Sequence, residues 1–183
     1  PYAPNSLARL IVAVRGYHRF LLQDQLASRD PSAALGTPRT SRPLPKALSV
    51  VEVERLVAAP VGPSALARRD RAMLEVLYGA GLRISELVGL DVDDLDPVER
   101  LVRVQGKGGS ERLVPYGELA AEALEAWLVQ GRPSLGPRGP AVFVNARGGR
   151  LTRQGAWKLI TGHAARVGLS ERVSPHTLRH SFA

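Results

Sequence analysis

The stretch Ala80-Gly-Leu-Arg-Ile-Ser-Glu-Leu87 decides how the chain around it folds. Residues 64–79 before it read as a helix, with Leu66, Ala67, Met73, Leu74, Val76 and Leu77 as core candidates. Gly79 and Gly81 close that helix, because glycine accepts the left-handed backbone that many helix ends adopt. Arg83 to Leu90 then forms a second, short helix, with Glu86 three residues after Arg83 and on the same face. A guanidinium in so apolar a context needs a carboxylate partner or an anionic ligand. The residues leave both open: Arg83 pairs with Glu86 and caps a carbonyl, or it holds an anion.

Downstream, Leu90-Asp-Val-Asp-Asp-Leu-Asp96 reads as a turn into a short strand broken by Pro97. Leu101, Val102 and Val104 form a strand, Gln105 to Ser110 a Gly-rich hairpin turn, and Arg112 to Val114 the returning strand. The glycines of Gly106-Lys-Gly-Gly109 leave Lys107 unshielded at the tip, where an ammonium can reach a phosphate or a leaving oxygen. An ordinary charged turn has the same composition, and a Walker loop is excluded because its Lys sits at a strand-to-helix junction. Gly117 to Gln130 reads as an amphipathic helix, Gly131 to Pro140 as a loop and Ala141 to Val144 as a short apolar strand; Thr152 caps a helix to Gly168. In Ser174-Pro-His-Thr-Leu-Arg-His-Ser-Phe-Ala183, Ser174 is an N-cap and Pro175 the first helical residue. His176 and Arg179 share a face just inside that helix start, a pairing suited to a phosphate.

Upstream, residues 5–28 read as one helix, with Leu7, Leu10, Ile11, Val14, Leu21 and Leu22 mostly on one stripe. Asp30-Pro31 ends it, since the residue before a proline avoids the helical region. Residues 31–46 hold four prolines with Arg39, Arg42 and Lys46, the composition of an extended basic linker. Ser49-Val-Val-Glu52 is a capping box that opens a helix over 49–59.

The 183 residues, 44% hydrophobic and 23% charged, are enough for a globular core in one or two domains. With no cysteine, disulfides and thiolate metal sites are excluded. No apolar run is long enough to span a bilayer and no signal peptide is visible, which points to the cytoplasm. The net charge of +8 is uneven: +5 over residues 1–46, −5 over 47–130 and +8 over 131–183. Two basic ends around an acidic middle suit a polyanion held between two surfaces, although solvated faces give the same count. The chain starts at Pro1 and stops inside a helix, so a fragment is expected.

Taken together, Gly-Leu-Arg83-x-x-Glu-Leu, Gly-Lys107-Gly-Gly on a β-hairpin and His176-x-x-Arg179-His resemble the tyrosine recombinase (phage integrase) family, in particular its Xer-type bacterial site-specific recombinases. Asp30-Pro-Ser, Leu-Pro-Lys46, Glu111-Arg-Leu-Val-Pro115 and Leu-Thr-Arg153 add to the likeness, which covers nearly the whole chain. The resemblance implies a mainly α fold with a small antiparallel β-sheet (α+β), a tyrosine recombinase catalytic domain that is truncated here. Residues 1–30 would be the last helix of an N-terminal core-binding domain, 31–46 the interdomain linker and 47–183 the catalytic domain. It further implies DNA recombination or integration, including chromosome dimer resolution, on double-stranded DNA by a homo- or hetero-tetramer, in the cytoplasm and associated with the nucleoid, with no cofactor and no metal.

The resemblance makes Arg83, Lys107, His176 and Arg179 the catalytic set. The chemistry agrees with that assignment. Breaking a phosphodiester without water, metal or nucleotide needs a side-chain nucleophile and positive charge at the phosphorane. Arg83 and Arg179 can clamp the non-bridging oxygens, Lys107 can protonate the leaving 5′-oxygen, and His176 can take the nucleophile's proton or bind the phosphate. In the family the nucleophile is a tyrosine downstream of His-x-x-Arg. Tyr2, Tyr17, Tyr78 and Tyr116 all precede His176, so no nucleophile is assigned and the chain alone is expected to be inactive. The DNA-binding candidates are Arg39, Arg42, Lys46, Arg147, Arg150, Arg153, Gln154 and Lys158. Trp127, Trp157 and His163 read as packing residues, and Asp91, Asp93, Asp94 and Asp96 as a solvated acidic turn rather than a metal loop. The alternatives are a DNA-binding module of the same fold without catalysis and a type IB topoisomerase-like relative.

Overall fold

A computed structural model describes residues 2–36, 47–106 and 109–173. Lys107, Ser174 to Ala183 with His176 and Arg179, and the linker residues Arg39, Arg42 and Lys46 lie outside the described residues. The chain divides into two units, Pro1–Leu44 and Pro45–Ala183.

The first unit contains α1, Pro4–Gln23. Its end falls earlier than the expected residue 28. Gln25 takes the left-handed conformation (φ 57°), Leu26 N–H donates to Leu21 O at 2.8 Å and Gln25 N–H to Leu22 O at 3.2 Å. That is a Schellman closure without the glycine that usually signals it, so the sequence pattern ran past it. Of the expected apolar stripe only Ile11 is buried; Leu10 is 50% exposed. Beyond the helix, the Asp30 carboxylate accepts from Ser32 Oγ at 2.6 Å and Ser32 N–H at 2.8 Å, and these bonds hold its pKa below the usual carboxylate range. The Arg15 guanidinium donates to Leu35 O.

The second unit is built around α3, Ala65–Gly79, which packs against α2 (Val50–Val57), α4 (Ile84–Gly89), α5 (Glu118–Glu125) and α6 (Arg153–Arg166). Three of these helices, α2, α3 and α6, begin at a hydroxyl cap. Ser49 Oγ accepts the Glu52 N–H at 3.3 Å while Glu52 Oε2 accepts the Ser49 N–H at 2.8 Å, and Ser64 and Thr152 cap α3 and α6 by the hydroxyl alone, accepting from Ala67 N–H at 3.2 Å and Gly155 N–H at 3.0 Å. From Ala72 to Leu77 every α3 residue is buried, as expected for a helix with neighbours on all sides. Leu66 is a correction: it is 38% exposed, and Ala67 is only half-buried, because that turn of α3 turns Arg69 and Asp70 inward instead.

The sheet is antiparallel and three-stranded, in the order β1 (Leu95–Asp96), β2 (Leu101–Gln105), β3 (Glu111–Pro115). Val102 pairs with Val114 and Val104 with Arg112, so those four residues share one face of the sheet. The fold is therefore mainly helical with a small antiparallel sheet. Two expected elements differ. The amphipathic helix gives way after α5 to a π-helical turn, Ala126–Gly131, in which the Trp127 ring lies where a Gly131 Cβ would be only 2.6 Å away. The run Ala141 to Val144 is not a strand: it makes only isolated bridges, Asp91 to Ala141 and Val144 to Arg150. It crosses the core as a fully buried segment that bends at Val142 and Phe143, tied by Trp127 Nε1–H to Val142 O at 2.9 Å.

Candidate active site

Gly81 (φ 56°) turns the chain sharply between α3 and α4, with Leu82 buried beneath. Arg83 is thereby held at the N-cap of α4 with its side chain 57% exposed. Glu86 fixes it at two points: Oε2 accepts the Arg83 backbone N–H at 2.8 Å, and Oε1 accepts from the Arg83 guanidinium at 2.7 Å. A second arginine shares that carboxylate. Arg112, on β3, donates from its two terminal nitrogens to Oε1 at 3.1 Å and to Oε2 at 3.0 Å. Burial of the Glu86 carboxyl, only 5% exposed, works to raise its pKa. The Arg112 hydrogen bonds, then the Arg83 N–H and guanidinium, outweigh burial and hold the group below the usual carboxylate range. Glu86 is thus ionised at neutral pH, and the trio carries one net positive charge on its open side.

Sequence reasoning found Arg83 and Glu86 and missed Arg112. A signal was present: in Arg112-Leu-Val114, a guanidinium alternates with valine on the strand face that packs inward, and such a guanidinium needs a carboxylate.

Two clefts adjoin this trio. One, of about 480 Å³, lies between α4 and β2 and is lined by Ser85, Glu86, Asp94, Arg103, Gln105 and Gly106, among others. It reaches the root of the hairpin that carries Lys107, where Gly106 N–H donates to Ser110 O at 2.6 Å. The other, of about 660 Å³, is lined by Ile84, Thr152, Arg153, Gln154 and Trp157. The structure therefore places the expected α6 residues Arg153 and Gln154, both exposed, next to the residue that follows Arg83.

The remaining basic candidates are spread more widely. Lys158, exposed, lines a different cleft of about 700 Å³ with Asn145, His163 and Arg166. Arg147 stands exposed in the tight turn from Asn145 to Gly149, where Asn145 Oδ1 accepts its N–H at 2.8 Å. Arg150 is engaged within the fold: one terminal nitrogen donates to the carbonyls of Val88, Gly89 and Leu90 at 3.0, 2.9 and 3.2 Å, and the other meets the Asp91 carboxylate. It closes the C-terminal end of α4, where free carbonyls accumulate.

Asp91, Asp94 and Asp96 of the acidic turn are engaged by groups of the protein itself. Asp94 accepts the Asp91 N–H at 2.9 Å and meets Arg103 at 3.4 Å; Asp96 caps the N–H groups of Val98 and Glu99 at 3.0 and 2.9 Å. Among the tyrosines, Tyr2 and Tyr17 are exposed, Tyr17 edge-on to His18, and Tyr78 is half-buried. Tyr116 is buried, donates to Asp96 O at 3.2 Å and has its pKa raised by that burial, so it makes a poor nucleophile.

A separate ionic cluster lies deep in the unit. Asp70 Oδ1 accepts from Arg69 Nε and a terminal nitrogen at 2.9 and 2.7 Å, Asp70 Oδ2 meets His163 Nε2 at 2.9 Å, and Arg69 also donates to Val144 O at 3.2 Å. It joins α3, α6 and the buried Ala141–Val144 segment.

Comparison with known proteins agrees with this architecture. The chain is 52% identical over 185 residues to tyrosine recombinase XerD of Mycobacterium tuberculosis, covering 97% of this chain and 60% of that protein. It thus spans about 60% of the length of the curated relatives it matches. Its fold matches the crystal structure of XerA recombinase with a TM-score of 0.69 at 26% identity, covering 94% of this chain and 67% of that one. It also matches the Tn1549 transposon integrase, solved in complex with circular intermediate DNA, with a TM-score of 0.79 over 98% of this chain and 65% of that one; at 19% identity that likeness is one of fold alone. Among the described residues no helix is long and apolar enough to cross a membrane. The sequence profile of the phage integrase family matches residues 46–183, which span the Gly81 turn, the Glu86-anchored Arg83 and the hairpin, and the chain belongs to that family.

Proposed function

We propose that this chain is part of a site-specific DNA recombinase that cuts and rejoins strands through a 3′-phosphotyrosine. The observation that carries the reading is the Arg83 guanidinium, exposed to solvent yet anchored by a buried, ionised Glu86. An arginine held in this way presents its remaining N–H donors in a fixed direction, which is what stabilising charge on a phosphorane requires. Arg83 and Arg179 clamp the two non-bridging oxygens. A tyrosine supplied from outside these residues attacks phosphorus; the new Tyr O–P bond forms as the P–O5′ bond breaks. His176 accepts the tyrosine's proton or binds the phosphate, and Lys107 delivers a proton to the leaving 5′-oxygen. The bond energy is kept in the protein–DNA ester, and the reverse attack by a 5′-hydroxyl rejoins a strand.

In this reading residues 1–30 close a core-binding domain, 31–46 link it to the catalytic domain of 47–183, and Arg39, Arg42 and Lys46 run along the duplex. Arg147, Arg150, Arg153, Gln154 and Lys158 add contacts to it, Arg150 chiefly by shaping the end of α4. The protein works in the cytoplasm on nucleoid DNA, as a tetramer on paired sites, in chromosome dimer resolution or DNA integration. Membership of residues 46–183 in the phage integrase family supports double-stranded DNA as the partner.

The test is covalent trapping on a nicked suicide duplex. Full-length protein forms the adduct, and Arg179→Gln abolishes it while binding persists. The 183-residue chain alone binds DNA in a salt-dependent manner and forms no adduct. An adduct formed by the isolated chain, or equal loss of binding and cleavage in Arg179→Gln, contradicts the proposal.

A further inference from the structure

Glu86 is bound by two arginines from different elements, Arg83 at the start of α4 (57% exposed) and Arg112 on β3 (39% exposed). Arg83 points to solvent, whereas Arg112 stands on the inner face of β3, directly across from Val104. The two terminal nitrogens of Arg112 span both oxygens of Glu86, and each of those oxygens also holds one point of Arg83, Oε1 its guanidinium and Oε2 its backbone N–H. Four N–H donors thus converge on one carboxylate that is almost wholly removed from water.

The charge balance depends on Arg112. Without it, Arg83 and Glu86 form a neutral pair, and the Arg83 guanidinium is free to lie bidentate along the carboxylate instead of facing outward. With it, the carboxylate is already neutralised from behind, and the charge of Arg83 is left for an incoming anion. Arg112 also stands near the hairpin root: it is the second residue of β3, and a Cβ at Gly106 would lie 3.9 Å from one of its terminal nitrogens.

We infer that Arg112 is a positioning residue: through Glu86 it aims Arg83 at the scissile phosphate and keeps the cluster cationic, while tying the root of the Lys107 hairpin to the start of α4. The inference rests on the strand-transfer reading above.

The experiment measures single-turnover cleavage and DNA affinity of full-length Arg112→Met, Arg112→Lys and Arg83→Ala, each with its thermal melting curve. The expected result for Arg112→Met is a loss on the order of 100-fold in the cleavage rate with unchanged Kd. Arg112→Lys regains only part of it, because an ammonium cannot span both oxygens. Added guanidinium ions restore cleavage to Arg112→Met but not to Arg83→Ala, a response that a purely structural role would not give. Should Arg112→Met fail to fold, Arg112→Lys decides: a wild-type cleavage rate overturns the inference, and a reduced rate with unchanged Kd upholds it. Wild-type cleavage in a folded Arg112→Met, with Arg83→Ala inactive, overturns the positioning role alone. Full cleavage in Arg83→Ala overturns the strand-transfer reading itself.

Discussion

Two carboxylates in this unit each hold two basic side chains, and their surroundings could hardly differ more. In the Arg69–Asp70–His163 cluster all three side chains are at least nine-tenths buried. In the Arg83–Glu86–Arg112 cluster the carboxylate is just as buried, but the arginines are 57% and 39% exposed. The first spends all its charge inside the protein and serves as a clasp between α3 and α6. The second hides its anion and shows its cations, as the proposed phosphate site requires. One helix organises both: Asp70 lies in the first half of α3, and Arg83 follows the Gly81 turn at its end.

The difference is sharpest in stability. Asp70→Ala strands the buried Arg69 guanidinium and should cost ~3–5 kcal/mol in urea unfolding of the Pro45–Ala183 unit. Glu86→Gln keeps an acceptor for the Arg83 N–H and leaves its arginines access to water, and should cost only about 1 kcal/mol, chiefly the charge and the second acceptor facing Arg112. Glu118→Gln removes a pair with Arg100 at 3.8 Å whose members are 72% and 49% exposed, and should change stability by less than ~0.5 kcal/mol. An Asp70→Ala loss no greater than that of Glu86→Gln would break the distinction between clasp and receptor.

A smaller effect sharpens the same contrast. The folded pKa of Glu86 lies below its ordinary 4.5, so its contribution to stability is fully present above that value and is lost as the pH falls through the lower, folded pKa. Glu86→Gln should therefore narrow its stability gap to the wild type as the pH drops below about 4.5. A gap that widens on acidification would mean that Glu86 is not ionised in the folded protein.

Much of this was legible in the chain itself. Caps wrote their own positions: Ser49 with Glu52, Ser64 and Thr152 begin helices where their hydroxyls accept backbone N–H groups. The Gly81 turn, the Arg83–Glu86 pair and the hairpin were likewise readable from local spacing. What escaped notice depends on contacts distant in sequence or on backbone without a signature residue. Gln25 closes α1 in a conformation usually given to glycine. The Ala141 to Val144 run is apolar because it is buried, and burial alone does not distinguish a strand from a bent crossing segment. Leu66 reads as core by hydrophobicity alone, which does not show that Arg69 and Asp70 take the inward positions of that turn. His163 reads as a helix-packing or exposed histidine, and it is buried; its partner Asp70 lies on another helix 93 residues away, beyond the reach of local spacing. Arg112 was hidden for the same reason: its carboxylate is 26 residues upstream. The assignments of Lys107, His176 and Arg179 rest on the sequence.

The central claim is that Arg83 acts on the reacting phosphate whereas the start of α6 contributes to holding the DNA. The direct measurement is cleavage rate and DNA affinity, side by side, for Arg83→Ala and Arg153→Ala in the full-length protein. The account predicts that Arg83→Ala loses on the order of 100- to 1,000-fold in cleavage with affinity nearly intact, while Arg153→Ala weakens affinity and cleaves normally at saturating protein. Equal losses of rate and affinity in Arg83→Ala, or a cleavage defect in Arg153→Ala that saturation does not repair, would contradict it.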